Sequence, residues 1–303
     1  MVSVFRRSLS FPNKPTPNRP SKPSLSRHTR SISLPCRSHP LISQLKDHIT
    51  ELQSWSSTCD SSSAWLVDGL NRLTELHHCL DDTLQLPQTQ EALRRQPHYS
   101  SVENLLEQFL RFVDVYGIFR SSVLALKEEH SAVQVALRKR NESKVALYMK
   151  ARKRMSNEMS KLVNEVRHCT RSSESVSPNS VNVGDVELAV VVTDVVQVTV
   201  MVSVALFNGI ALSLGPRKST TWRNMGIMKK GKVDDQYQGI HEFEQVGIRS
   251  LLGLRKKGAE EFKATWKNMR ELEISIEGIE TCTERVFRSL INARVALLNI
   301  LTS

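Results

Sequence analysis

The residues best suited to chemistry lie in a motif that occurs twice near the start of the chain. Arg7-Ser8-Leu9-Ser10-Phe11-Pro12 and Arg30-Ser31-Ile32-Ser33-Leu34-Pro35 both spell Arg-Ser-x-Ser-x-Pro. A serine hydroxyl in this frame is a candidate acceptor of a phosphoryl group. The arginines upstream, Arg6 with Arg7 and Arg27 with Arg30, are what basophilic kinases favour. A phosphate on Ser10 or Ser33 would add about −1.5 to −2 of charge at neutral pH, with three strong acceptor oxygens. Arg7 or Arg30 could pair with that phosphate, and the following proline would turn the chain away.

That layout resembles the phosphopeptide ligands of 14-3-3 proteins, which read phosphate with an arginine cluster. Ser10 and Ser33 are 23 residues apart, and a flexible coil of that length spans roughly 25–30 Å. A dimeric 14-3-3 protein could then hold both sites, with avidity above either single affinity by about 10²–10⁴. Residues 1–40 hold eight Lys or Arg, seven of the eleven prolines and nine serines, and no acid precedes Asp47. The arm has too little apolar surface to offset its ordering entropy, so disorder is predicted. It carries +8 of the net charge of +11, which leaves the rest of the chain near neutral. The same Arg- and Ser-rich composition fits an organelle transit peptide with a plastid destination, and no apolar secretory segment opens the chain.

Other near-motifs lack a necessary part. His168-Cys169 suggests a cysteine phosphatase loop, but the sixth residue after the Cys is Ser175 where that chemistry needs Arg. Gly215-Pro216-Arg217-Lys218-Ser219-Thr220 has no Gly before Lys-Ser and none five residues earlier, so it is not a P-loop. His77-His78-Cys79 gathers three ligand types, yet neighbouring helical residues diverge by about 100° and cannot close one tetrahedral site. His77 and His78 are expected on solvated helix surface, and Cys79 in the core. No nucleophile elbow or dinucleotide fingerprint occurs. Catalytic, cofactor and metal residues are therefore not assigned, and a non-enzymatic protein is expected. Arg138–Arg140 and Lys150–Arg154 form a basic stretch with one nearby aromatic, Tyr148, and read as solvated helix rather than a specific nucleic-acid module. The five cysteines are odd in number and lack CxxC spacing. That favours a reducing compartment, the cytoplasm.

The periodicity beyond the arm is helical. Apolar residues at 3–4 spacing predict helices over 41–55, 64–86, 102–140, 141–171, 185–214, 235–254 and 260–301, with a short turn at 89–95. Gly117 is expected to kink or break the third, and Ser100-Ser101-Val102-Glu103 to cap it. Linkers are expected near 172–184 and 215–235. Ile276 and Ile279, Thr283 and Val286, Leu290 and Ala293, Leu297 and Ile300 make a partial heptad. Intramolecular packing is favoured over a coiled-coil dimer seam, because Thr283 weakens the seam. Val195–Leu214 has 20 residues without a charge, long enough to cross a bilayer, and a basic flank follows it. Its β-branched residues also make a strand conceivable, but Gln197, Ser203 and Asn208, near helical spacing, suit a helix buried at the centre of a bundle. A membrane anchor with endomembrane or plasma-membrane location is the alternative. The expected fold is all-α, a multi-helix bundle of long antiparallel helices over 41–303 behind the disordered arm.

Four ordered blocks carry a resemblance. They are Ser33-Leu34-Pro35-Cys36-Arg37-Ser38-His39-Pro40, then Leu76 to Gln90 with His77-His78-Cys79-Leu80, then Val102 to Arg140 with Asp114-Val115-Tyr116-Gly117, and finally Val286 to Leu301. Together they are similar to the plant-specific BYPASS-related family. The resemblance implies a mostly helical plant protein linked to root and shoot development, including control of a root-derived mobile signal, and it implies no catalytic residues. The Val-rich 185–214 segment recurs in that family. The expected function is regulatory or scaffolding, exercised through protein partners.

Overall fold

A computed structural model describes residues 39–58, 60–94, 99–139, 142–169, 183–215, 239–251 and 258–302. The chain divides between Arg37 and Ser38, and the second unit is the one described. Of its described residues 93% are helical and none is in a strand, against about a third helix in ordinary globular proteins. In order the helices are α1 (Pro40–Ser57), α2 (Ser63–Leu84), α3 (Pro87–Arg94), α4 (Tyr99–Arg138), α5 (Glu142–Cys169), α6 (Val183–Leu214), α7 (His241–Gln245), α8 (Ile248–Leu251) and α9 (Ala259–Thr302).

Local chemistry sets several of these ends. Pro40 and Pro87 open α1 and α3, where a missing N–H costs nothing. Ser62 accepts from the Trp65 amide at the start of α2. Glu260 and Glu261 place negative charge at the N-terminus of α9.

The long helices close into a ring. α9 lies between α2 and α4, α4 packs on α5, α5 on α6, and α6 returns to α1 and α2. Neighbours in sequence run antiparallel, as the pairs Trp55–Trp65 and Cys79–Leu41 show for α1 and α2. α2 and α9 run parallel, because Ser63 meets Ser275 and His77 meets Ser289. Each long helix turns an apolar stripe inward, and α9 buries its whole partial heptad, Ile276 through Ile300, inside the chain. That intramolecular packing is the favoured reading of the heptad.

α6 is the helix most nearly apolar all round. Glu187–Leu214 is long and apolar enough to span a membrane, and 72% of its most apolar window is buried in the bundle. Its β-branched valines form a helix because burial on α1, α2 and α5 outweighs a modest propensity loss. Gly69 is needed where α1 crosses α2. A Cβ there would run into the Trp55 ring, which stacks on Trp65 at 4.3 Å.

Three local expectations change. α4 runs unbroken through Gly117, since packing along both flanks holds it. It starts at Tyr99, so Ser100 and Ser101 lie inside the first turn rather than before it. The helix expected over 235–254 is two short ones, α7 and α8, separated by Val246 and Gly247. Tertiary bonds hold α7: Glu242 accepts from the amide (3.0 Å) and hydroxyl (2.6 Å) of Ser63 at the start of α2. The expected linkers fall mostly outside the described residues.

Candidate functional site

Three polar side chains stand on otherwise apolar stripes, and each is bonded across helices. His77 follows Leu66, Leu70 and Leu73 on α2 and is fully buried. Thr199 gives its proton to the Val195 carbonyl, which leaves its oxygen free to accept from His77 Nε2 at 3.1 Å. Ser289 of α9 lies 3.3 Å from Nδ1. Burial and the neighbouring His78 push the imidazole pKa down to about 3, so His77 is neutral. It is not the surface residue that sequence suggests, whereas His78 is exposed and Cys79 is in the core. Next along α6, Ser203 bonds the buried Tyr116 hydroxyl at 2.9 Å.

His130 of α4 lies 3.2 Å from the Tyr148 hydroxyl and 2.9 Å from the Met269 carbonyl. Its burial lowers its pKa against the pull of that carbonyl. Arg152 belongs to the run expected on the surface, yet it is 3% exposed. It donates through Nη2 to the carbonyls of Ser213 (3.2 Å) and Phe243 (2.6 Å). Among the described residues Nε and Nη1 have no hydrogen-bond partner, while the guanidinium lies 5.7 Å over the Tyr148 ring and the negative C-terminal ends of α6 and α7 offset the buried charge. The other members of the run, Lys150, Lys153 and Arg154, are exposed as expected. These contacts tie α2, α4, α5, α6 and α9 into fixed register.

What that frame presents outward is a groove of about 1050 Å³ along α4, walled by α5 and, beside Gly117, by Phe287 of α9. Gly117, Ser121 and Ala125 recur every fourth residue and keep its floor low. Leu126 and Met155 lie buried beneath it, and Ile118 is 43% exposed at its lip. Antiparallel packing, with His130 against Tyr148, puts Glu128 and Glu129 at one end of it, Asp114 at the other, and Arg154 and Glu158 of α5 between them. Among the described lining residues Arg154 is the one cation, and Arg120 lies close by over the Phe287 ring. Glu158 meets Lys161 at 3.5 Å, while among the described residues Asp114, Glu128 and Glu129 are in no ion pair. The groove thus combines apolar contact area with uncompensated negative charge in a chain of net +11.

Ser10, Ser33, Arg7 and Arg30 lie outside the described residues. Cys79, Cys169 and Cys282 are free thiols buried in the bundle, and burial pushes the Cys169 thiol up to about 11. No group of three potential metal ligands occurs among the described residues. Periodicity could have found His77, His130 and Arg152, since each continues an apolar stripe. The groove leaves no such mark, because it depends on how far α5 stands from the outer face of α4.

The family model described as Protein BPS1 matches residues 69–300. Searches of the curated proteins and of the solved structures each found no match.

Proposed function

The chain belongs to the Protein BPS1 family over residues 69–300, and on that premise we propose that it is a non-enzymatic scaffold in the control of plant root and shoot growth. Family membership supports the developmental role. One observation carries the scaffold reading: between α4 and α5 lies an open groove of about 1050 Å³ with a floor of small residues and carboxylates toward both ends, a shape suited to a polypeptide. The buried polar side chains support it too, since His77, Tyr116 and His130 bond to neighbouring helices inside the bundle. Within this reading the duplicated Arg-Ser-x-Ser-x-Pro motif is a switch. Phosphates on Ser10 and Ser33, paired by Arg7 and Arg30, recruit a dimeric 14-3-3 protein in the cytoplasm. The burial of α6 favours this soluble scaffold over an anchor at Val195–Leu214.

The test is purification of the full chain from plant tissue with and without phosphatase. A complex well above the chain's own 34.3 kDa, lost on phosphatase treatment and in the Ser10→Ala/Ser33→Ala variant, is expected. A chain that runs alone under every condition contradicts the reading.

A further inference from the structure

We propose that the groove between α4 and α5 takes a basic amphipathic helix from a partner protein, clamped at both ends by carboxylates. The inference rests on the scaffold reading and names the chemistry of its partner. The floor is flat enough for a helix because Gly117, Ser121 and Ala125 present almost no side-chain height along one row of α4. Its exposed apolar surface, Ile118 at the lip with the half-buried Val113 and Phe287 above the buried Leu126 and Met155, is narrow and fits one hydrophobic stripe.

Charge then fixes the occupant and its register. From Asp114 to Glu128 α4 rises through 14 residues, roughly 21 Å at 1.5 Å per residue. A docked helix therefore needs Lys or Arg at two points about four turns apart, one reaching Asp114, the other Glu128 and Glu129. Between them Arg154 repels a cation, so a uniformly basic helix fits worse than one with an acidic or neutral residue at mid-length. Among the described residues the end carboxylates Asp114, Glu128 and Glu129 are in no ion pair, so docking would not have to break one at those positions.

The probe is a fluorescein-labelled 18-residue helix with a Leu stripe, two Lys at each end and Glu at its centre, titrated with the full chain by anisotropy. Saturable binding that weakens with salt is expected, with a loss of about tenfold or more in the Glu128→Lys/Glu129→Lys variant. Ser121→Leu, which raises the floor and leaves the charge alone, should lose binding as well, with the helical circular dichroism of both variants at the native value. Moving Lys to the centre of the peptide should weaken it. Equal binding of a composition-matched peptide without the Leu stripe, or no effect of either variant, overturns the proposal. So does a charge-dependent dimer of the chain in sedimentation, which would give the groove to a second copy, or displacement by a peptide of residues 1–38. A peptide that binds as described by a chain that forms no phosphatase-sensitive complex in tissue leaves the groove standing and removes the phosphorylation switch from the scaffold reading.

Discussion

His77 shows how much a single position can reveal and how easily it is misplaced. As one of two adjacent histidines it reads as surface, but it continues the row Leu66, Leu70, Leu73 and is followed by Leu80 and Leu84. The helical period alone sends His77 inward and His78 outward. What the sequence could not supply was its partners, because Thr199 and Ser289 are 122 and 212 residues away. The consequence is a pH dependence with a definite sign. In the fold His77 titrates at about 3, against 6.5 when exposed. Between those values the unfolded chain binds the extra proton, so stability falls as pH is lowered from 6.5 toward 3 and does not change further below that. One such proton contributes a slope of up to about 1.4 kcal/mol per pH unit. Urea unfolding at pH 7 and pH 4.5 should show the native chain losing more stability than His77→Gln, which keeps a donor and an acceptor without titrating. Parallel losses in the two proteins would remove His77 from the account.

At the scale of elements, the long helices were legible because burial on one face imposes a 3.6-residue rhythm, strongest in α9, whose heptad is buried throughout. Boundaries and short elements were not. Gly117 looks like a break in isolation, yet α4 passes through it, held by α5 and α9 on its flanks. α7 and α8 replace one expected helix because Glu242 is drawn to Ser63 and the Phe243 carbonyl to Arg152. α6 was ambiguous for a physical reason: a bundle core and a bilayer demand the same apolar surface. In the bundle Thr199 and Ser203 meet His77 and Tyr116 of neighbouring helices, and on the soluble reading proposed above α6 stays there. Alkaline carbonate extraction of plant microsomes should therefore release the full chain into the supernatant. Retention in the pellet would mean that α6 leaves the bundle for the bilayer.

For the whole molecule, the all-α bundle and the family followed from periodicity and from four ordered blocks, whereas the groove did not, being a distance between helices rather than a property of either. Both sides of the interaction reading are electrostatic. A basic arm carries the serines proposed as phosphosites, and a nearly neutral bundle has carboxylates toward the two ends of one groove. If the bundle is a scaffold, its work is done at that trough, and altering the charge there should abolish function while sparing the fold. The measurement that tests this most directly is rescue of a plant line lacking the chain by the Glu128→Lys/Glu129→Lys protein, expressed at the level of the native one. The account predicts that the native chain restores root and shoot growth and the variant, equally abundant and equally helical, does not. Full restoration by the variant would contradict it.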